Sequence, residues 1–175
     1  MVPWSPHPSS LTLLPSPSSP SPDPLRPLAC FPLLNPRFKI HPTLTVAEFR
    51  HWLTPLKGVV NSYVSHDSAG KVNNLCSFYH LPSSVLNNPL HKTINAAYSY
   101  YNVPSEDSSL TTLMADCLHL AQKEGIDVFN CLDLMENKEF LEELKFGAGD
   151  GTLRYYLFNM ACPEVREEDI GLVLL

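Results

Sequence analysis

No stretch of this chain approaches the roughly 20 consecutive apolar residues that a membrane-spanning helix requires, so no transmembrane segment is expected. Leu11 to Leu14 is too short for a signal-peptide core, and no basic segment precedes it. The expected location is cytoplasmic. Basic side chains are also scarce, with 12 Lys and Arg against 18 Asp and Glu, a net charge of −6. Nonspecific nucleic-acid binding needs clustered Lys and Arg, so it is excluded. The five cysteines are odd in number and form no C-x-x-C pair. The seven histidines show no H-x-x-x-H spacing. Neither a disulfide framework nor a metal site is expected. No internal repeat is present.

Glycine is absent from residues 1–36, where 11 of the 17 prolines and seven serines lie. The only charged side chains there are Asp23 and Arg26. This segment shows neither helical nor strand periodicity and reads as disordered, with local polyproline II character. Its Ser-Pro steps also fit phosphorylation sites. A globular domain is expected over residues 37–175.

Within that domain, Thr45-Val46-Ala47-Glu48 is a capping-box pattern opening a helix that runs through Phe49 and Trp52 to Pro55. Val59 to Val64 and Val72 to Leu81 read as a hairpin around Asp67-Ser68-Ala69-Gly70. Ile94 to Val103 fits a strand or a helix, with strand preferred. Leu110, Leu113, Met114, Cys117, Leu118 and Ala121 share one helical face, capped by Ser109 and ended by Gly125. Asp127 to Leu132 reads as a short buried strand, and Asn137 to Lys145 as a second helix stopped by Gly147. Thr152 to Asn159 and the apolar end from Ile170 to Leu175 read as further strands. This order predicts an α/β or α+β fold, a mixed sheet with flanking helices.

Gly147-Ala148-Gly149-Asp150-Gly151 is the most glycine-dense stretch, but Thr152 stands where a dinucleotide fingerprint needs its last glycine. Three such glycines still let another backbone approach closely. Asp150 is either a turn aspartate or a binder of an amine or basic group. The Leu175 carboxylate is either an ordinary chain end or, where desolvation raises its affinity for protons, a general base. The tyrosines from Tyr98 to Tyr101 are either sheet packing or a binding wall.

Five stretches then resemble one known family, the glycylpeptide N-myristoyltransferases. They are Cys76-Ser77-Phe78-Tyr79-His80-Leu81-Pro82-Ser83, Ala96-Ala97-Tyr98-Ser99-Tyr100-Tyr101-Asn102-Val103, the run from Asp127 to Asn137, the run from Leu144 to Gly151, and the ending Gly171-Leu172-Val173-Leu174-Leu175. His80, and the pair Asn73-Asn74, depart from the family pattern. The resemblance covers residues 37–175. It implies an acetyltransferase-like fold, one of two pseudo-symmetric halves, of which this chain is similar only to the C-terminal, peptide-binding one. It also implies transfer of a myristoyl group from myristoyl-CoA to the N-terminal glycine of substrate proteins. Myristoyl-CoA would be a co-substrate held mainly by the other half, with no tightly bound cofactor. By motif position, the resemblance makes the Leu175 carboxylate the proton acceptor. It makes Ser83, Ile94, Tyr98, Asn130, Asp150, Gly151, Leu153 and Leu174 the peptide-groove residues. Expected partners are N-terminal glycine peptides and a separate N-terminal half. The alternative is an inactive peptide-binding fragment or decoy.

Overall fold

The structure is a computed structural model that describes residues 11–14 and 37–174. Its elements run β1 (Thr12–Leu13), α1 (Val46–Leu53), β2 (Val60–His66), β3 (Val72–His80), β4 (Ser83–Ser84), β5 (Thr93–Ile94), β6 (Ala96–Val103), α2 (Leu110–Lys123), β7 (Val128–Asn130) and α3 (Lys138–Leu141). A 3-10 turn follows at Glu167–Asp169.

Local chemistry accounts for the element ends. The Thr45 hydroxyl accepts from the Glu48 amide at 3.3 Å, and the Glu48 carboxylate accepts from the Thr45 amide at 2.8 Å. This pairs two N–H groups that the start of α1 would otherwise leave orphaned. The same Thr45 hydrogen bonds hold the Glu48 carboxyl below its ordinary range. At the β2–β3 turn, Asp67 Oδ1 accepts from the Ala69 and Lys71 amides at 2.9 and 2.8 Å. Gly70 there takes φ +74°, which a residue without Cβ adopts freely. The α2 helix closes as expected on Gly125: the Ile126 amide donates to Ala121 and the Gly125 amide to Gln122, both at 3.1 Å.

The main sheet has the order β1-β2-β3-β6-β7, antiparallel except for the parallel β6–β7 pair. β4 and β5 form a separate two-stranded ribbon. Phe49 and Leu53 of α1 pack with Val60, Val64, Leu75 and Val103 on one face. Leu113, Met114, Cys117 and Ala121 of α2 pack with Tyr63, Cys76, Phe78 and Ala97 on the other. The fold is a mixed α/β sheet covered by helices on both faces.

Several expectations need correction. Residues 11–14 fall in the segment read as disordered, yet Thr12 pairs with Val64 and Leu13 with Tyr63. Leu14 is buried in the α1-side core and Leu11 packs against the α2-side cluster, which seats a short edge strand. The reading for residues 1–10 and 15–36 lies outside the described residues. β7 is three residues long and half-exposed, not a buried strand, because it sits at a sheet edge. The second helix is a single turn of α3. It closes through Phe146 N–H to Leu141 O at 2.8 Å and Lys145 N–H to Glu142 O at 3.0 Å. Lys145, at φ +60°, occupies the left-handed position that Gly147 was expected to supply. Thr152 to Asn159 is not a strand: no described strand pairs with it, and a single extended segment has no ladder to stabilise it. The apolar end makes one parallel bridge, Ile40 to Ile170, rather than a strand.

The β3–β6 ladder contains a bulge. Cys76 pairs with Asn102 but Phe78 with Ser99, so β6 carries one extra residue opposite Ser77. The Ser77 hydroxyl fills the gap, donating to the Tyr101 carbonyl at 2.8 Å and accepting from the Tyr101 amide at 3.0 Å. The extra residue resets the alternation of side chains. Tyr100 and Tyr101, although adjacent, both join the α1-side core, with ring centroids 4.5 Å apart. Tyr98 points to that side too, stacking on Tyr79 at 5.4 Å. Ser77→Ala would leave the buried Tyr101 amide and carbonyl without these partners. It should destabilise the protein by about 1–3 kcal/mol, read as a lower midpoint in denaturant unfolding.

Candidate functional site

A cavity of about 1130 Å³ lies between β7 and the glycine-rich loop. Asn130, Cys131, Phe146, Gly151, Leu153 and Tyr155 are among its walls. Three of the sequence-predicted residues, Asn130, Gly151 and Leu153, therefore share one site. The sheet connects two more pairs: Tyr98 stands in register with Asn130 across β6–β7, and Ser83 is directly opposite Ile94 across β4–β5. Ser83 and Ile94 are exposed on that ribbon. Asp150 is exposed on the loop beside Gly151 and forms no ion pair among the described residues. Leu174 is exposed at the tail, and the expected proton acceptor, Leu175, lies outside the described residues.

The tail reaches this neighbourhood without a strand ladder. The Gly171 amide donates to the Ile40 carbonyl at 2.7 Å. The Tyr101 hydroxyl then accepts from the Val173 amide at 3.3 Å, and the Tyr155 hydroxyl donates to the Leu172 carbonyl at 2.9 Å. Tyr155 also lines the cavity, so one side chain joins the tail to the groove. Sequence reasoning missed Tyr155, Tyr101 and Gly171 as anchors. No local pattern marks the two tyrosines, because their hydroxyls meet backbone 17 and 72 positions away.

Ion pairs brace the tail's approach. Lys39 meets Asp169 at 2.8 Å, Lys138 meets Glu167 at 2.6 Å, and Arg37 meets Glu136. Lys138 holds the Glu167 carboxyl below its usual range, and Lys39 does the same for Asp169. The cavity walls carry Asp133, Glu142, Glu167 and Lys145, with Lys138 meeting Glu167 and lying 3.9 Å from Asp133. Cys131 stands on the wall with its thiol pushed up to about 12 by burial, which leaves it protonated and a poor nucleophile at neutral pH. Cys76 and Cys117 are buried in one core cluster, where Cys117 and burial hold the Cys76 thiol well above its ordinary range, whereas Cys162 is exposed. Among the described residues, no group of three His, Cys, Asp or Glu side chains is placed to hold a metal. None of the described helices is long and apolar enough to cross a membrane.

The sheet order, the two covered faces and the parallel β6–β7 edge define an acetyltransferase-like fold. A Trypanosoma brucei acetyltransferase structure superposes with a TM-score of 0.56 at 16% identity, covering 84% of this chain and 98% of that one. The family assignment is narrower. Residues 31–173 match the model for the myristoyl-CoA:protein N-myristoyltransferase C-terminal domain, and the chain belongs to that family. A glycylpeptide N-tetradecanoyltransferase of Drosophila melanogaster is 49% identical over 139 residues. That alignment covers 79% of this chain and 29% of the relative, so the chain spans less than a third of the relative's length. A Saccharomyces cerevisiae N-myristoyltransferase structure with bound myristoyl-CoA superposes with a TM-score of 0.71 at 29% identity, covering 81% of this chain and 38% of that one.

Two measurements check this geometry. A Cβ on Gly171 would lie 2.4 Å from the Phe38 ring, too close without backbone movement. Gly171→Ala should therefore cost about 1–3 kcal/mol and increase hydrogen exchange along residues 170–174. The second is alkaline titration. Burial raises Tyr79, Tyr100, Tyr101 and Tyr155, and raises Tyr63 to about 12. A phenol with a raised native pKa contributes stability that is complete below its unfolded value near 10 and lost as pH climbs through the native value. The phenolate absorbance of these five tyrosines should therefore appear together with unfolding above about pH 10, not ahead of it.

Proposed function

We propose that this chain is the peptide-binding portion of an N-myristoyltransferase and that the Leu175 carboxylate is its proton acceptor. The observation that carries the reading is the tyrosine-anchored tail beside the cavity that gathers Asn130, Gly151 and Leu153. The proposed ligand is the N-terminal glycine of a substrate protein. Its ammonium has an ordinary pKa of about 8 and must lose a proton before attack. That proton passes to the carboxylate. The amine nitrogen then bonds to the thioester carbonyl carbon, the carbon–sulfur bond breaks, and CoA thiol leaves with a proton. No covalent enzyme intermediate is needed.

The groove residues have distinct roles in this reading. Gly151 lets the peptide backbone approach, and Tyr98 and Leu153 give it apolar contact. Asn130, with Ser83, offers hydrogen bonds, and Asp150 attracts a cationic or amide group. Ile94 and Leu174 complete the apolar edge. Myristoyl-CoA is the acyl donor, held by the portion of the relatives that this chain does not match. The proposed location is cytoplasmic.

A second reading, binding without transfer, is favoured by the 29% coverage of the Drosophila relative. A clickable myristoyl-CoA assay with a Gly-initiated peptide separates the two. This chain alone should bind the peptide without acylating it, and activity should appear when a relative's unmatched portion is supplied. Transfer by the chain alone would overturn the division of labour. In the active mixture, one residue added beyond Leu175 should lower kcat by about 10²–10⁴-fold, with KM for the peptide nearly unchanged. An unaltered kcat would remove the carboxylate from the mechanism.

A further inference from the structure

Residues 11–14 lie outside the family match, which begins at residue 31, yet they complete the sheet. The Leu14 amide donates to the Ser62 carbonyl at 2.8 Å, and the Thr12 hydroxyl to the Val64 carbonyl at 3.3 Å. Leu14 is only 5% exposed and belongs to the α1-side core, while Leu11 packs against the α2-side cluster. Leu13 is 50% exposed. The segment therefore grips the sheet on both faces and along its backbone.

Without it, β2 would be the edge of the main sheet. β2 is seven residues long and buried over its first six, so a row of open amides and carbonyls would run beside an apolar core. Such an edge is a template for pairing with another chain. The resident strand is a poor template in turn. It is two residues long, and Pro15, which has no N–H, follows Leu14 directly. Residues 15–36 number 22, a span of up to roughly 70 Å when extended. The strand and the edge it occupies belong to one chain, so their pairing needs no second molecule.

We infer that the outer edge of β2 is a strand-docking surface for a short extended apolar segment, and that Leu11–Leu14 of this chain is its built-in occupant. The occupant is recognised by backbone pairing to Ser62 and Val64 and by insertion of the fourth side chain into the α1-side core. While seated, it blocks edge-to-edge association of β2 with a second copy.

Hydrogen exchange on the full-length chain tests the assignment. Leu14→Asp should accelerate exchange in residues 60–66 at least about ten-fold and produce concentration-dependent association by light scattering. Leu13→Asp, at the outward position, should do neither. A synthetic peptide spanning Ser9 to Ser16, added to the Leu14→Asp protein, should restore protection, and the same peptide carrying Asp at position 14 should not. Thr12→Pro keeps all three leucines while removing a ladder amide, and should also expose residues 60–66 while α2 stays protected. Unchanged exchange at residues 60–66 in both Leu14→Asp and Thr12→Pro, or failure of the peptide to restore protection, would overturn the inference.

Discussion

The extra residue in β6 opposite Ser77 is the constraint on which the placement of the tail depends. A regular strand would send Tyr100 and Tyr101 to opposite faces. With the bulge, Tyr98, Tyr100 and Tyr101 all look toward α1 and the tail. Tyr101 can then present its hydroxyl to Val173, and Tyr98 can stack on Tyr79 while standing in register with Asn130. At the bulge the Ser77 hydroxyl pairs with both the amide and the carbonyl of Tyr101. A small side chain carrying one hydroxyl is what the site demands, since it must donate and accept in a space one residue wide.

The tail is held by hydroxyls and one bridge instead of a ladder, so its position depends on side chains from β6 and from the segment after the glycine loop. Its polar braces are exposed ion pairs, individually worth little. Its apolar anchors, Ile170 and Val173, contribute more through burial. The close contact of Gly171 with Phe38 fixes where the chain can enter.

What the sequence made legible was local. The Thr45–Glu48 box, the Asp67 turn and the Gly125 stop each depend on residues within five positions of one another, and each stands as read. The apolar face of α2 was equally plain, because its period is set within the helix. What escaped were features that depend on distant partners. Thr152 to Asn159 has strand composition, but a strand is defined by its neighbour, and none is present among the described residues. Lys145 in a left-handed position, the Ser77 bulge and the Gly171–Phe38 contact leave no composition signal. Of the candidate residues, Asn130, Gly151 and Leu153 line one cavity. The motifs that named them came from a family likeness, and residue chemistry alone had left Asp150 and Tyr98 undecided.

The four described cysteines form a graded series. Cys162 is open to solvent, Cys131 is half-hidden in the cavity wall, and Cys76 and Cys117 are sealed between β3 and α2. A thiol reacts with an alkylating reagent only in proportion to how often its surroundings open. The chain thus carries its own set of chemical clocks: one that runs freely, one that reads access to the groove wall, and a pair that advances only when the sheet and its helix part.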